Sequence, residues 1–572
     1  MEKVMQKWKS YGKHFQQNRL YMGILLLTAV CAYGYKVTNA TIGIDDTPSL
    51  YYFEEGLIAI VGRWVLFLLN KVVSLAEFVP FVTDFAAVVI LVLAAVVWSA
   101  LFYSVLGEKV PTAGYAFFGA VFLSSPLISE VFTYFLHNGI AIGYLCCGIS
   151  LCCVREWQSS TRKMQKGSGI RQKLGCLAVA KILTAAVFLW IAMGCYESFM
   201  ILWLAGLMLL LLTERIARGR QEKDIFATLV AGAVAALVAI VLRSVMIVVV
   251  TKAFHLEYLR GEAVQRSVTE MLGWMLQPGA FGELAMILKR TFVLYGVFAY
   301  AYLPIRIFIL SAAAILVVTL VRVIRGRDLW ALLLLPAAYL AAFSLLFIEG
   351  KATLYRSAQF LPVFCGYGAL LFVYGIWQLT GTLAPKAKNT AGRKISAGVR
   401  ALAVLVLAVI LWNQCMDMTR WFYIDKKKYD AAVKTVDQIA MDLERDFDTS
   451  KPVIFTGNYD IPYSIVQGAY VSYSSPVYYK MKRLADLVDK YNRGSRGVWV
   501  AQTPALSVID WGRYAFDSDA ELVKFFEMHG HQLVALEDIS LYAAAEEESL
   551  DLPEYPQEGY IVDKGDYIIV HF

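Results

Sequence analysis

The run from residue 82 to residue 106, VTDFAAVVILVLAAVVWSALFYSVL, is apolar over almost its whole length. A helix of that length, rising about 1.5 Å per residue, is longer than the ~30 Å hydrocarbon core of a bilayer. Comparable runs fall near 20–36, 113–132, 138–154, 175–193, 196–212, 225–251, 297–321, 329–348, 358–379 and 401–416, about eleven spans in all. Composition agrees, since 58% of the 572 residues are hydrophobic and only 17% are charged, with mean hydropathy +0.56. An ordinary water-soluble protein is excluded, and the chain reads as a polytopic α-helical membrane protein.

From Asp417 onward charges return and no apolar run is long enough to span. This predicts a membrane domain over 1–416 and a water-soluble domain over 417–572. The latter reads as a small α/β unit, with a helix over Tyr429 to Phe447 and strands at 452–456, 498–501 and 567–572. Further helical stretches fall near 477–491 and 518–529, and no catalytic set is recognisable there. None of the nine cysteines lies in this domain, which therefore has no disulfide. The first apolar run, Leu20 to Tyr35, is long, lacks a small-residue cleavage pattern and is followed by more spans, so it is expected to remain as the first helix.

The net charge of +7 is distributed as short basic clusters at 3–19, 155–173, 215–223, 322–327 and 386–400, between apolar runs. Such clusters are topology signals rather than a nucleic-acid surface. All fall on one face, which the positive-inside rule makes cytoplasmic. The N-terminus is then cytoplasmic, and the loops at 37–81, 252–296 and 349–357 and the C-terminal domain lie on the extracytoplasmic side of what reads as a bacterial cytoplasmic (inner) membrane. In the first of these loops Leu57, Ile58, Ile60, Val61, Val65, Leu68, Leu69, Val72 and Val73 recur at helical spacing, the pattern of an interfacial helix.

On the outer face, Ile42-Gly43-Ile44-Asp45-Asp46-Thr47 places two adjacent carboxylates beside the first span. Mutual repulsion and desolvation suit one of them to acid–base work, or both to a divalent cation. A solvated Asx turn before Pro48 is the other reading. Glu130 and His137, Glu197 beside Tyr196, and Glu349, Lys351, Tyr355 and Arg356 fall on the same face. Charges beside apolar segments are rare unless they line a cavity or pair, so their coincidence points to an exterior cavity. Arg243 sits deep in the seventh run, where a carboxylate partner is expected. Cys146, Cys147, Cys152 and Cys153 share one helix without a zinc-ligand spacing, and no P-loop, Gly-x-Gly-x-x-Gly or Gly-x-Ser-x-Gly occurs.

Asp45-Asp46 followed by Gly62-Arg63-Trp64, with Ser125-Pro126, Glu130, Tyr196-Glu197 and Tyr355-Arg356 further on, resembles the serotype-converting glucosyltransferases of the GtrII family, within the GT-C superfamily. The chain departs from that pattern at His137-Asn138, where an acidic residue would stand, and at Glu197, which replaces an amide. The resemblance implies a GT-C-like transferase that takes a hexose, glucose by family, from a polyprenyl-phosphate donor to a surface glycan or glycolipid. It makes Asp45 and Asp46 the catalytic residues, and Arg63, Glu130, His137, Tyr196, Glu197, Lys351, Tyr355 and Arg356 the substrate contacts. No nucleotide is needed; Asp46 would orient Asp45 or the acceptor, or hold a divalent cation, for which Asp45 and Asp46 are the candidate ligands. A lipid or polysaccharide transporter is the competing class, although transporters place charges near the midplane and show repeats.

Overall fold

The computed structural model describes residues 15, 18–42, 59, 62–73, 79–133, 137–165, 171–218, 225–256, 273–282, 284–285, 305–345, 357–383, 390–459, 511–512, 519–536 and 540–572. Its membrane part consists of α1 (Arg19–Thr38), α2 (Trp64–Val73), α3 (Val82–Leu106), α4 (Thr112–Leu123), α5 (Pro126–Val131), α6 (His137–Gln165), α7 (Arg171–Cys195), α8 (Phe199–Arg218), α9 (Ile225–Ala253), α10 (Phe308–Gly326), α11 (Leu329–Ala342), α12 (Leu361–Leu383) and α13 (Thr390–Asp446). Among the described residues ten helical segments are long and apolar enough to cross a membrane, and the apolar α11 stands where the remaining span is expected. The fold is thus a polytopic helical bundle, as the hydropathy implies. Part of the 297–321 run lies outside the described residues.

The third span is not one helix. Pro126 disfavours helical geometry in the residue before it and is well placed at the start of a new helix, so α4 ends at Leu123 and α5 begins after Ser125. Carbonyls freed by such a break need partners in a membrane. Tyr33 of α1 donates its hydroxyl to Leu123 O at 2.7 Å, and Gln414 of α13 donates to Ser124 O at 3.1 Å. The break therefore ties three helices together and turns Glu130, Phe132 and Thr133 toward the start of α6.

At the opposite end of the bundle, buried ion pairs join the helices. Arg155 pairs with Glu214, which also accepts from Gln158 at 2.8 Å. Arg215 meets Asp328 with two guanidinium nitrogens, at 2.9 and 2.5 Å, while Asp328 caps α11 by accepting from Ala331 N.

The expected domain boundary at 416/417 falls inside α13, a helix of 57 residues. No proline occurs between 390 and 446, and no glycine after Gly398. The apolar face simply changes partner: Met418, Trp421 and Phe422 are buried with the membrane helices, whereas Ala432, Val436, Ile439, Ala440 and Leu443 belong to the C-terminal core.

That C-terminal part holds β1 (Pro452–Thr456), β2 (Asn458–Tyr459), β3 (Trp511–Gly512), α14 (Asp519–Met528), β4 (Val534–Ala535), α15 (Ser540–Ser549), β5 (Ile561–Asp563) and β6 (Ile568–His571). The sheet order is β4-β1-β6-β5, with β1 parallel to both neighbours and β5 antiparallel to β6. Strand side chains alternate between faces. Val453, Phe455, Ile568 and Val570 face α13 and α14, and Ile454, Tyr567 and Ile569 share the other core with Ala545 of α15. Both faces are covered, so β1 and β6 read as continuous apolar runs instead of alternating ones. The expected elements at 477–491 and 498–501 lie outside the described residues; the expected helix near 518–529 is α14.

Close helix packing depends on Gly368 in α12. A Cβ there would collide with the Ser311 backbone of α10, lying 2.7 Å from its carbonyl oxygen. Gly368→Ala should destabilise the detergent-solubilised protein by about 1–3 kcal/mol. Gly381→Ala, in the same helix with nothing within 4 Å of its Cβ position, should leave the thermal unfolding midpoint unchanged or slightly raised.

Candidate active site

Consecutive spans run in opposite directions, so the end of α1, the starts of α3 and α6, the end of α5, the end of α7 and the start of α12 share one end of the bundle. Two polar clusters are built there. The first surrounds α2. Gly62, at φ 86°, turns the chain into Arg63 and Trp64, and a Cβ on it would lie 2.6 Å from Arg243 Nη2. Only glycine allows both the left-handed backbone and that approach.

Arg63 lies over the Tyr196 ring, 4.6 Å from its centroid. Such cation–π contacts contribute roughly 0.5–2 kcal/mol, more when desolvated. Arg243, reaching in from α9, donates to Glu197 Oε1 at 2.9 Å. The carboxylate partner expected for this deep arginine is therefore Glu197. Trp64 stacks on Trp190 of α7 with ring centroids 4.6 Å apart. Its ring fills the space over Gly194, where a Cβ would lie 2.5 Å from Trp64 Nε1. The Tyr196 hydroxyl lies 3.4 Å from Ser357 Oγ, and Ser357 follows Tyr355-Arg356 in sequence.

The polar balance of this cluster is uneven. Among the described residues, Arg63 Nε, Trp64 Nε1, Trp190 Nε1, Arg243 Nε and Ser198 Oγ are buried with no hydrogen-bond partner. Four of the five are obligate N–H donors. Among the described residues the cluster holds two guanidinium groups and one ion pair, Arg243 with Glu197. An acceptor-rich, negatively charged group is the chemistry that would complete this set.

The second cluster joins the ends of α1 and α5 to the starts of α3 and α6. His137 Nε2 lies 3.2 Å from Asp84 Oδ1, with both side chains buried, and the His137 ring stacks on Phe132 at 5.2 Å. Asn138 Nδ2 donates to Thr83 O at 3.1 Å. Lys36 donates to Thr41 Oγ1 at 2.6 Å, and that hydroxyl donates to Asp425 of α13 at 2.7 Å. Glu130 is buried on α5 beside Phe132 and Thr133.

Of the residues singled out in the sequence, Arg63, Tyr196 and Glu197 meet in the first cluster, and Glu130 and His137 lie in or beside the second. Asp45, Asp46, Glu349, Lys351, Tyr355 and Arg356 lie outside the described residues. Sequence reasoning missed Asp84 and Lys36, although a carboxylate inside the 82–106 run and a lysine closing the first run are visible as charges in apolar surroundings. It also missed Trp190, Ser357 and Asp425, which carry no signal until the helices are packed. Among the described residues no three His, Cys, Asp or Glu side chains gather as metal ligands.

A family model described as Glucosyl transferase GtrII matches residues 34–373. A search among curated proteins finds no match. Among solved structures, the crystal structure of ArnT from Cupriavidus metallidurans bound to undecaprenyl phosphate is similar at 14% identity and a TM-score of 0.36, covering 86% of this chain and 96% of that one. With the family match extending over more than half its length, and with Gly62-Arg63-Trp64, Tyr196 and Glu197 meeting inside the matched span, the chain belongs to the GtrII glucosyl transferase family.

Proposed function

We propose that this membrane glycosyltransferase moves a glucosyl unit from a polyprenyl-phosphate donor to a cell-surface glycan or glycolipid on the extracytoplasmic side of the cytoplasmic membrane. The observation that carries the reading is the set of buried donors at Arg63, Trp64, Trp190 and Arg243 that are unmatched among the described residues. A phosphate that gains charge as the sugar leaves is an acceptor of the right sign. Donors held in place before charge develops stabilise it most. The family's name supports glucose as the transferred group.

In this reading the acceptor oxygen attacks the anomeric carbon, the bond from that carbon to the phosphate oxygen breaks, and the hydroxyl proton passes to the Asp45 carboxylate. Asp46 orients Asp45 or the acceptor. Arg63 and Arg243 hold the phosphate, and Lys351 and Arg356 supply further positive charge. Tyr196 keeps Arg63 in place through its ring, and Glu130 and Tyr355 contact the substrates. The short helix α2, with Val72 and Val73 exposed, suits a site that a lipid tail enters from the side.

Asp45→Asn should lower transfer from radiolabelled polyprenyl-phosphate glucose by about 10²–10⁴-fold; undiminished transfer would remove Asp45 as the base. Arg243→Met should raise the KM for the same donor about tenfold or more, the usual effect of losing a charge-assisted hydrogen bond, and an unchanged KM would take Arg243 out of the phosphate contacts. For topology, green fluorescent protein fused after Phe572 should stay dark and alkaline phosphatase at the same point should be active, because the C-terminal domain is read as extracytoplasmic. The reverse pattern would invert the assignment.

A further inference from the structure

The second polar cluster borders a small, partly open cleft, whose polar lining is Lys36, Thr41, Thr83, Asp84, Thr133 and His137. Its charged groups are at most 6% exposed, yet they do not quench one another across the space. Lys36 is held to Asp425 through the Thr41 hydroxyl, with steps of 2.6 and 2.7 Å, on one side. Asp84 is held by His137 at 3.2 Å on the other. Buried polar atoms arranged around a space rather than against each other mark a place for a polar group.

The chemistry of the lining narrows that group. Thr83 donates its hydroxyl proton to Val79 O and Thr133 donates to Glu130 O, so both threonines offer acceptor lone pairs to the cleft. Asp84 offers a carboxylate, and Lys36 has three N–H donors, one of them used on Thr41. An anion would meet Asp84 and a cation would meet Lys36. An apolar chain would leave both unsatisfied. A hydroxyl group, which donates once and accepts from more than one side, satisfies both walls. The enclosed space admits a group about the size of a water molecule, which suits one hydroxyl of a larger ligand and not a whole sugar ring.

We infer that this cleft is a hydroxyl-recognition subsite for a sugar, in which Asp84 accepts from, and Lys36 donates to, one hydroxyl of a substrate, with His137 fixing the orientation of Asp84. The inference rests on the reading that the protein handles a sugar substrate, and it adds a specificity contact separate from the phosphate cluster and from Asp45.

The test measures binding without turnover, on the full-length protein in nanodiscs. Polyprenyl-phosphate glucose and its 2-, 3-, 4- and 6-deoxy analogues form one arm. Methyl hexosides of glucose, galactose and rhamnose with their monodeoxy forms, titrated in the presence of polyprenyl phosphate, form the other. Wild type should lose about tenfold or more in affinity for one deoxy position. Asp84→Asn and His137→Gln should weaken the parent compound to a similar extent and abolish discrimination at that position alone. The arm in which this occurs identifies the sugar as donor or acceptor. Should either variant fail to give monodisperse protein, Thr133→Val, in the cleft lining, reads the same discrimination. Unchanged deoxy discrimination in correctly folded variants, in both arms, would overturn the subsite and leave a structural or water-filled cleft. A loss of transfer in Asp45→Asn together with intact discrimination in the cleft variants would sink the subsite alone. Absence of glucosyl transfer by wild type would sink the functional reading, while the binding arms would still report on the cleft.

Discussion

A backbone that stops being helical inside a membrane protein must find partners for the carbonyls it frees, and the turn at Ser124-Ser125 depends on that requirement being met. Tyr33 and Gln414 meet it from two other helices. Without them the carbonyls at the Pro126 break would stand unpaired, and the placing of Glu130, Phe132 and Thr133 beside α3 and α6 would lose its support. The Phe132–His137 stack and the placing of Thr133 at the cleft both follow from the break. The site end of the bundle is thus positioned by hydrogen bonds to main-chain atoms, which tolerate little displacement.

The two ends of the bundle treat charge differently. Away from the site, Arg155 with Glu214 and Arg215 with Asp328 form buried, matched pairs. Such pairs add little net stability over apolar packing, but either partner is costly to remove alone. They behave as fasteners. At the site end, Arg243 pairs with Glu197 and Arg63 lies over Tyr196, with donors left over among the described residues, and Lys36 and Asp84 both line a cleft. Charges of the same kinds serve fastening in one place and binding in the other, and the difference is whether a partner fills the geometry.

Much of the architecture was legible in the sequence because a long apolar run has few alternatives to a spanning helix. β1 and β6 were legible as short runs rich in β-branched and aromatic residues, whereas 113–132 read as one span and the break at Ser124-Ser125 was missed, although Pro126 marks it. The unbroken course of α13 was not legible, because charge returns at Asp417 while the helix continues to Asp446. Hydropathy marks where a segment leaves lipid, not where its hydrogen-bond ladder stops. Within the site, Gly62-Arg63-Trp64 and Tyr196-Glu197 were visible as separate short motifs. Their meeting through Arg243, which is 46 residues from Glu197, required the packing of α2 against α7 and α9.

The unbroken course of α13 has a geometrical consequence. Between Asp425, hydrogen-bonded to Thr41, and Ala432, buried in the C-terminal core, the chain has neither glycine nor proline to act as a pivot. Each residue of an α-helix advances the azimuth by about 100°, so the number of residues between those two anchors sets the heading of the sheet about the helix axis. The C-terminal part is aimed like a vane keyed to a shaft, with Thr41 as one of the teeth that hold the key.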